Sequence, residues 1–518
     1  MNEQLELASY ADLDYSDTFG SQADATELLK AIQAGSITGR DTANQSLTQE
    51  PLKLESLEHT LKSLEFRMKD VKLWNAIPKD IAANTVEEYV NLESYGADVG
   101  GFYDEGQLAD AQDSKYNRHA ELVKYIQVVG SVTLQAQLVK SFVPAMAREV
   151  ENKTMWIIRR ISSALTKANS DIVSQEFNGL FRQHARIGAS GQDQTYATLD
   201  LYQDSPAVID LRGDSLSQQD LDTAGVNINQ AFGDIDSLWA PPSVLSGLFA
   251  DFFQRQRLIT GDTSSKGIIG TVPKGIDTQF GTIMLNQDKF MQQTPARLLT
   301  DAATAPKAPA APAVSSQTDN ASTANSRFAA GEPYSGALGT VFYAVSAVNQ
   351  YGESALTPFS NTVKITLAAG HSVDLAFSAG TGGSYAPTGY RIYRSMVTAA
   401  TNATTGGVKF YPIFNVSAAQ LAAGYDGASA GVVRDLNRFL PGCEQAFVTE
   451  MVEEVLKFKQ LAPLSKLDLA ITGPSNQFLS FLYGTPMYFG GYKSAGLTGA
   501  QKMVRYINIG PYIPGTTH

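Results

Sequence analysis

The sequence predicts an α+β protein whose mixed domain is interrupted by an all-β insert, and three observations carry that prediction. From Pro144 to Asn169, the apolar residues Met146, Val150, Ile157, Ile161, Leu165 and Ala168 recur at spacings of three, four and seven, on one side of a 3.6-period helix. From Glu121 to Leu138, Leu122, Ile126, Val128, Val132, Leu134, Ala136 and Leu138 all take even positions, the period of a strand. At about Asp301 the composition turns abruptly to ATAPKAPAAPAVSS, and from there to about Asp435 strand patterns replace helical ones.

The helix is expected to be long, straight and buried on one face, with Arg148, Asn152, Arg159, Ser163 and Lys167 elsewhere on its wheel. Pro144 suits the first turn, where a missing N–H costs nothing, and Glu149 and Lys153 stand in the favourable i,i+4 order. The strand before it is long enough to reach outside one compact core, and Gly130 in its middle predicts a bend or bulge.

Upstream, residues 1 to 60 carry eleven acids against three bases and read as an extended acidic arm. One short helix is expected there, Gln22 to Ala34, ended by Gly35. The polar run Ser36 to Gln49 is too poor in apolar residues to fold alone. Leu52 to Met68 is amphipathic, with Leu54, Leu57, Leu61, Leu64 and Met68 at helical spacing, and Trp74, Ile77 and Pro78 close it. Thr85 to Tyr95 predicts a strand, followed by an acidic tip with Gly100, Gly101 and Gly106, so that with the long strand it makes a hairpin arm.

Downstream of the long helix, Phe177 to Gln194 is a looser stretch with Gly179, Gly188 and Gly191. Leu216 to Phe232 predicts a helix, Leu238 to Ala240 a short strand, and Ser243 to Phe253 a second helix with Ser243 at its N-cap or early turn. Gly261 to Gly281 is a glycine-spaced loop before a strand at Gly281 to Leu285. Past the Ala/Pro linker, Val341, Tyr343, Val345 and Ala347 alternate, and Asn349 to Glu353 is a turn. Val363, Ile365 and Leu367, then Val373, Leu375 and Phe377, then Tyr390 and Ile392 repeat the alternation at sandwich-like intervals. Gln445 to Lys459 is then expected to be helical, Leu467 to Ile471 a strand, and Lys502 to Ile509 the strand that closes the mixed domain.

Length and charge narrow the function. The chain has 518 residues, enough for two to four domains, and a formal net charge of −12, which argues against a nucleic-acid clamp. A single cysteine, Cys443, excludes an internal disulfide framework and thiolate-rich metal sites, and it is expected to fill a small gap. The first residues lack the basic and apolar regions of a signal peptide, and no window approaches a membrane span, so synthesis in the host cytoplasm and no membrane partner are expected. Trp74, Trp156 and Trp239 are expected as core or interface anchors.

No catalytic, cofactor-binding or metal-binding residue is expected, and the protein is expected not to be an enzyme. Gly427-Ala428-Ser429-Ala430-Gly431 matches a nucleophile-elbow pattern only formally, since no buried strand precedes it and the one downstream histidine is His518. His59, His119, His184, His371 and His518 never come within ligand spacing of one another. Gly380 to Gly383 lacks the Lys-Ser/Thr that a phosphate loop needs.

The order of parts resembles that of the tailed-phage major capsid proteins of the HK97 fold. The stretch Thr85 to Leu138 looks like their E-loop and Pro144 to Asn169 like their spine helix. IDSLWAPPSVLSGLFADFF, Ile235 to Phe253, is similar to a strand-and-helix piece of their axial domain, and GIDTQFGTIMLNQDKF, Gly275 to Phe290, resembles the loop and strand that commonly come after that piece. LDLAITGPSNQFLSFLYGTP, Leu467 to Pro486, and KMVRYINI, Lys502 to Ile509, resemble the closing part. The resemblance implies an N-terminal arm over 1–70, an E-loop hairpin over 71–142, a spine helix and peripheral domain over 143–199, and an axial domain over 200–302 that resumes at 436–518 with the peripheral domain.

The insert, 303–435, resembles an immunoglobulin-like or fibronectin type III-like sandwich in FYAVSAVNQYGESALTP, Phe342 to Pro358, and GYRIYRS, Gly389 to Ser395. In a fibronectin module the strand like YRIYR precedes the strand like YAVSAVN. Here the order is reversed, so either the module is permuted or the local likeness misassigns the strands.

The resemblance further implies a major capsid protein that self-assembles through hexamers and pentamers into an icosahedral shell. It would be located in the virion, with an outward knob on a flexible linker. Portal, scaffold or decoration proteins would be partners, and packaged DNA would be met only non-specifically at the inner surface. Some members cross-link Lys to Asn between subunits, but no motif here identifies such a pair. The contrasting expectation is a tail or baseplate adhesive protein whose sandwich binds a host-surface glycan, with Tyr385, Tyr390 and Tyr411 as exposed stacking residues.

Overall fold

The computed structural model describes residues 65–96, 100–138, 144–186, 207–256, 274–292, 295–321, 323, 326–328, 338–471, 473–490 and 501–510. The acidic arm, most of Leu52 to Met68, His59 and His518 lie outside them. The chain falls into two units. A smaller one includes Ile126–Ile158 and Leu464–Leu482, and a larger one holds Lys69–Tyr125, Arg159–Pro463 and the residues from Tyr483 onward.

The first elements in chain order are helix α1 (Leu73–Ala76) and strands β1 (Lys79–Ile81), β2 (Val86–Ser94), β3 (Lys115–Leu122) and β4 (Lys124–Thr133). Short helix α2 (Leu134–Leu138) and long helix α3 (Ala145–Lys167) follow. The even-position run is therefore not one strand. It breaks at the buried Val123, whose N–H donates to Thr85 O, and its last residues coil into α2. Two strands that belong to different sheets happen to alternate in phase, so the period gave no sign of the break.

In the smaller unit the outer parts of β4, β20 (Ser475–Tyr488) and β19 (Leu456–Asp468) neighbour one another in that order. Gly130 has no positive φ, and a Cβ there would lie 2.3 Å from Phe478 Cζ, so glycine admits the ring. The first half of α3 carries the expected Glu149–Lys153 ion pair at 3.0 Å. From Ile157 onward the helix is buried on more than one face, with Ile158, Ser162 and Thr166 inside as well as Ile161 and Leu165.

The larger unit holds a six-stranded sheet in the order β5-β21-β18-β6-β8-β7. Its strands are β5 (Val208–Asp210), β6 (Ser237–Ala240), β7 (Gly275–Thr278), β8 (Gly281–Gln287), β18 (Glu444–Thr449) and β21 (Met503–Ile509). β21 runs parallel to β5 and antiparallel to β18, so strands far apart in sequence close the mixed domain as expected. Helix α4 (Leu180–Arg186) covers one face through Phe181 against Phe447. On the other face, α5 (Gln218–Gln230) and α6 (Pro242–Gln256) pack Leu221, Ile228, Leu245 and Leu248 against Leu238, Val448, Val504 and Tyr506. α5 starts with a capping box, Ser217 and Asp220, which contributes about 1 kcal/mol. α6 begins at Pro242, which leaves Ser243 in the early turn rather than at the cap.

The helix expected over Gln445 to Lys459 is instead β18, a turn, and the start of β19. Ala446, Phe447, Val448 and Thr449 are all buried because both faces of this central strand are covered, and a short continuous apolar run cannot be told from a buried helix by period.

Between the two parts of this sheet lie β9 (Ala313–Asn320), β10 (Gly339–Val341), β11 (Tyr343–Val348), β12 (Thr357–Pro358), β13 (Ile365–Leu367), β14 (Ser372–Ser378), β15 (Gly389–Ser395), β16 (Phe410–Ser417), helix α7 (Ala418–Ala423) and β17 (Val432–Asp435). They form sheets β12-β11-β15-β16 and β17-β14-β9, with β10 paired to β13. The two main sheets share a core of Tyr343, Val345, Leu375, Phe377, Tyr390, Ile392, Val416 and Val433.

The Ala/Pro segment is not a free tether. Thr304 exchanges bonds with Glu353, Lys307 O accepts from Asn349 Nδ2 at 3.0 Å, and Ala313 to Ser316 already belong to β9. Alanine side chains are small enough to lie flat on the β region, and Gly380 and Gly383 leave room for Ala310 and Ala311.

Candidate assembly surface

Among the described residues β2 and β3 pair antiparallel as a two-stranded sheet of their own. Alternation divides its side chains between two faces. One face carries Glu87 opposite Glu121, Tyr89 opposite His119 and Asn91 opposite Asn117. This face is anchored: Tyr89 OH donates to Tyr488 O at 2.9 Å, its ring meets Phe489 edge-on at 4.8 Å, and the buried Glu121 accepts from Asn178 Nδ2 at 3.0 Å.

The other face sets Val86 opposite Leu122, Val90 opposite Arg118 and Leu92 opposite Tyr116, with Arg118 paired to Glu88. Val86, Val90, Leu92, Tyr116 and Leu122 are between 40% and 66% exposed. At the tip, Phe102 is 100% exposed and Leu108 94%. Positive φ at Gly100 and Gly101 lets the tip chain fold back. An isolated two-stranded hairpin is at best marginally stable in water, and five half-bare apolar side chains on one face form a strip fitted to be covered.

The sequence pointed to this arm and to its glycines but missed most of β3, where only Tyr116, Ala120 and Leu122 of KYNRHAEL carry the apolar phase that continues into β4. Trp74 and Trp239 are buried, while Trp156 on α3 is 46% exposed.

The sites weighed for chemistry are placed as follows. Ser429 lies on an exposed turn between Gly427 and Gly431, with its carbonyl accepting from Val432 N. His184 is fully buried, its Nε2 donating to Met503 O at 2.9 Å, and burial with Arg505 nearby holds its pKa at about 3. His119 stacks on Tyr89, and His371 Nδ1 faces Asp319 at 2.9 Å. Cys443 is buried beside Leu440 and Met396, and burial pushes its thiol pKa far up. Of the three tyrosines expected to be exposed, Tyr390 is buried in the β-region core, Tyr411 is half-buried, and Tyr385 packs edge-on against Tyr351 at 5.4 Å. Tyrosine on a two-sided strand is drawn inward by the area it buries.

A cleft of about 220 Å³ is lined by Lys167, Arg182, Arg391, Arg505, Phe414 and Tyr425, among others. Its cations are already engaged: Arg182 with Asp171 at 2.7 Å, Arg391 with Glu353 at 2.9 Å, and Arg505 with Gln445. Lys167 Nζ donates to Gln292 O. Among the described residues no group of His, Cys, Asp and Glu is arranged to hold a metal ion.

No protein-family model and no curated protein matches the sequence. The chain is similar to several solved structures at low identity. One is the holo-SrpI encapsulin complex from Synechococcus elongatus, with TM-score 0.37, 8% identity, and 92% of this chain and 99% of that chain covered. Another is the capsid of a native GTA particle, with TM-score 0.39, 8% identity, and 90% and 99% covered. A third is from Gordonia phage Cozz, with TM-score 0.39, 8% identity, and 91% and 98% covered.

Proposed function

We propose that this chain is a capsid-type shell protein, the major capsid protein of a tailed phage with the HK97 fold, and that it is structural rather than enzymatic. The observation that carries this reading is the β2–β3 hairpin, anchored on one face and bare and apolar on the other. Such an arm gains its stability from a neighbouring copy, because full burial of each apolar side chain is worth about 1.5–3 kcal/mol. The six-stranded sheet, with α5 and α6 packed on it, supplies a firm body that can carry the arm. On this reading β9 to β17 are an inserted immunoglobulin-like module on the shell, and the subunits form hexamers and pentamers in the virion, with portal, scaffold or decoration proteins as further partners.

The test is electron microscopy of the full chain, expressed alone and with its neighbouring virion proteins at near-neutral pH. Closed shells or six- and five-membered rings support the reading. Discrete monomers or trimers under every condition overturn it.

A further inference from the structure

The return of the chain from the β region to the six-stranded sheet passes through a buried polar hub. Arg394, fully buried on β15, donates through Nη1 to Asp435 Oδ2 at 2.8 Å and through Nη2 to Asn437 Oδ1 at 2.7 Å, and Tyr343 OH donates to the same Asp435 oxygen at 2.7 Å. These are contacts within the β region and its exit.

From there the bonds cross over. Arg212, just after β5, donates to Asn437 O at 2.8 Å and to Arg327 O at 2.7 Å. Arg327 pairs with Asp210 on β5 at 3.1 Å. Asn508 on β21 gives its amide to Asp210 Oδ1 at 2.7 Å and to Arg438 O at 2.8 Å, and its Oδ1 accepts from Leu440 N at 2.8 Å.

The backbone at the hub is strained in a matching way. Among the described residues, Arg212, Phe232, Asp426, Asn437 and Asn508 are the non-glycine positions with positive φ, and three of these five are hub residues. A left-handed backbone at such positions persists only where the surroundings over-determine it. At the other end of β15 a Cβ on Gly389 would lie 2.7 Å from Ile172 Cγ2, a separate close contact of the β region with residues before the sheet.

We propose that this hub locks the β region and the six-stranded sheet into one mechanical body with a fixed mutual orientation, so that the insert is a rigid bracket and not a swinging knob. Polar groups joined by short bonds across the junction cannot slide: any rotation would part Arg327 from Asp210, Arg212 from the carbonyls of Arg327 and Asn437, and Asn508 from Arg438 O. The inference concerns the single chain and stands whether or not that chain builds shells.

The experiment is a spin-label distance measurement on the unassembled full chain carrying Gln219→Cys on α5 and Thr362→Cys in the β region, both exposed positions. Cys443 is buried and stays unlabelled. A single narrow distance distribution is expected. Asp210→Asn removes one of the hub's charges, and Asn508→Gly removes the side-chain bonds to Arg438 O and Leu440 N while a glycine relaxes the φ of 53°. Both variants are expected to broaden the distribution and to speed amide exchange at Leu440 and Gly213 by about 10- to 100-fold. Asp319→Asn, away from the hub, should change neither. A broad distribution in the unaltered chain, or a narrow one retained in both hub variants, overturns the proposal.

Discussion

The β2–β3 hairpin and the β9–β17 region are both built from short antiparallel strands, and they satisfy themselves in opposite ways. The β region has two main sheets sharing one core, and it buries Arg394 and Asp435 as partners. The hairpin has one sheet, and half its side chains face water. Stability thus resides inside the first, while the second leaves apolar area bare to solvent. A substitution should therefore read out in the isolated chain for the one and in association for the other.

The largest expected effect is in the β-region core. Ile392→Ala empties space between the two sheets and should cost about 2–5 kcal/mol, measured by denaturant unfolding of the isolated chain. If that cost is absent, the β region is not the self-sufficient partner in the comparison.

The matching test on the hairpin is Val90→Ser, Leu92→Ser and Tyr116→Ser together. Unfolding of the isolated chain should move by no more than about 1.5 kcal/mol, about 0.5 for each exposed site, while shell or ring yield by sedimentation collapses. A strongly destabilised monomer with normal assembly would reverse the comparison.

Next in size is Gly130→Ala, which drives a methyl into Phe478 and should cost about 1–3 kcal/mol; adding Phe478→Leu should recover part of it in thermal melts.

The smallest expected effect at neutral pH comes from His184, held neutral at about 3 against an ordinary 6.5. Its folded-state pKa is lowered, so between those values the unfolded chain binds the extra proton. Stability is fully present above pH 6.5 and falls as the pH drops, by at most about 1.4 kcal/mol per unit. His184→Gln should flatten that part of the pH profile of stability.

Much of this division was legible in the residues. The period of α3, the glycines of the tip, the Ala/Pro boundary and the alternation at Tyr343, Leu375 and Ile392 all carried their elements, because each side chain's partner lies one turn or one pleat away. Three things were not legible. The break at Val123 hid because β3 and β4 alternate in phase, and β18 passed for a helix because a strand covered on both faces loses its period. The hub was invisible because Asp210, Arg394, Asn437 and Asn508 are brought together only by the finished topology. Single polar residues far apart in sequence carry no periodic signal.

Strand β21 fills the gap between β5 and β18, yet it follows every other strand of that sheet in the chain. On the ribosome, five of the six strands are therefore made before the one that joins β5 to the rest. Until it emerges, β5 and β18 each present an open edge with unpaired N–H and C=O groups. A chain cut short before Met503 cannot close its sheet, and so it carries its own mark of incompleteness to any chaperone or protease that reads exposed edges. Closure of the sheet thus waits on the synthesis of its last strand.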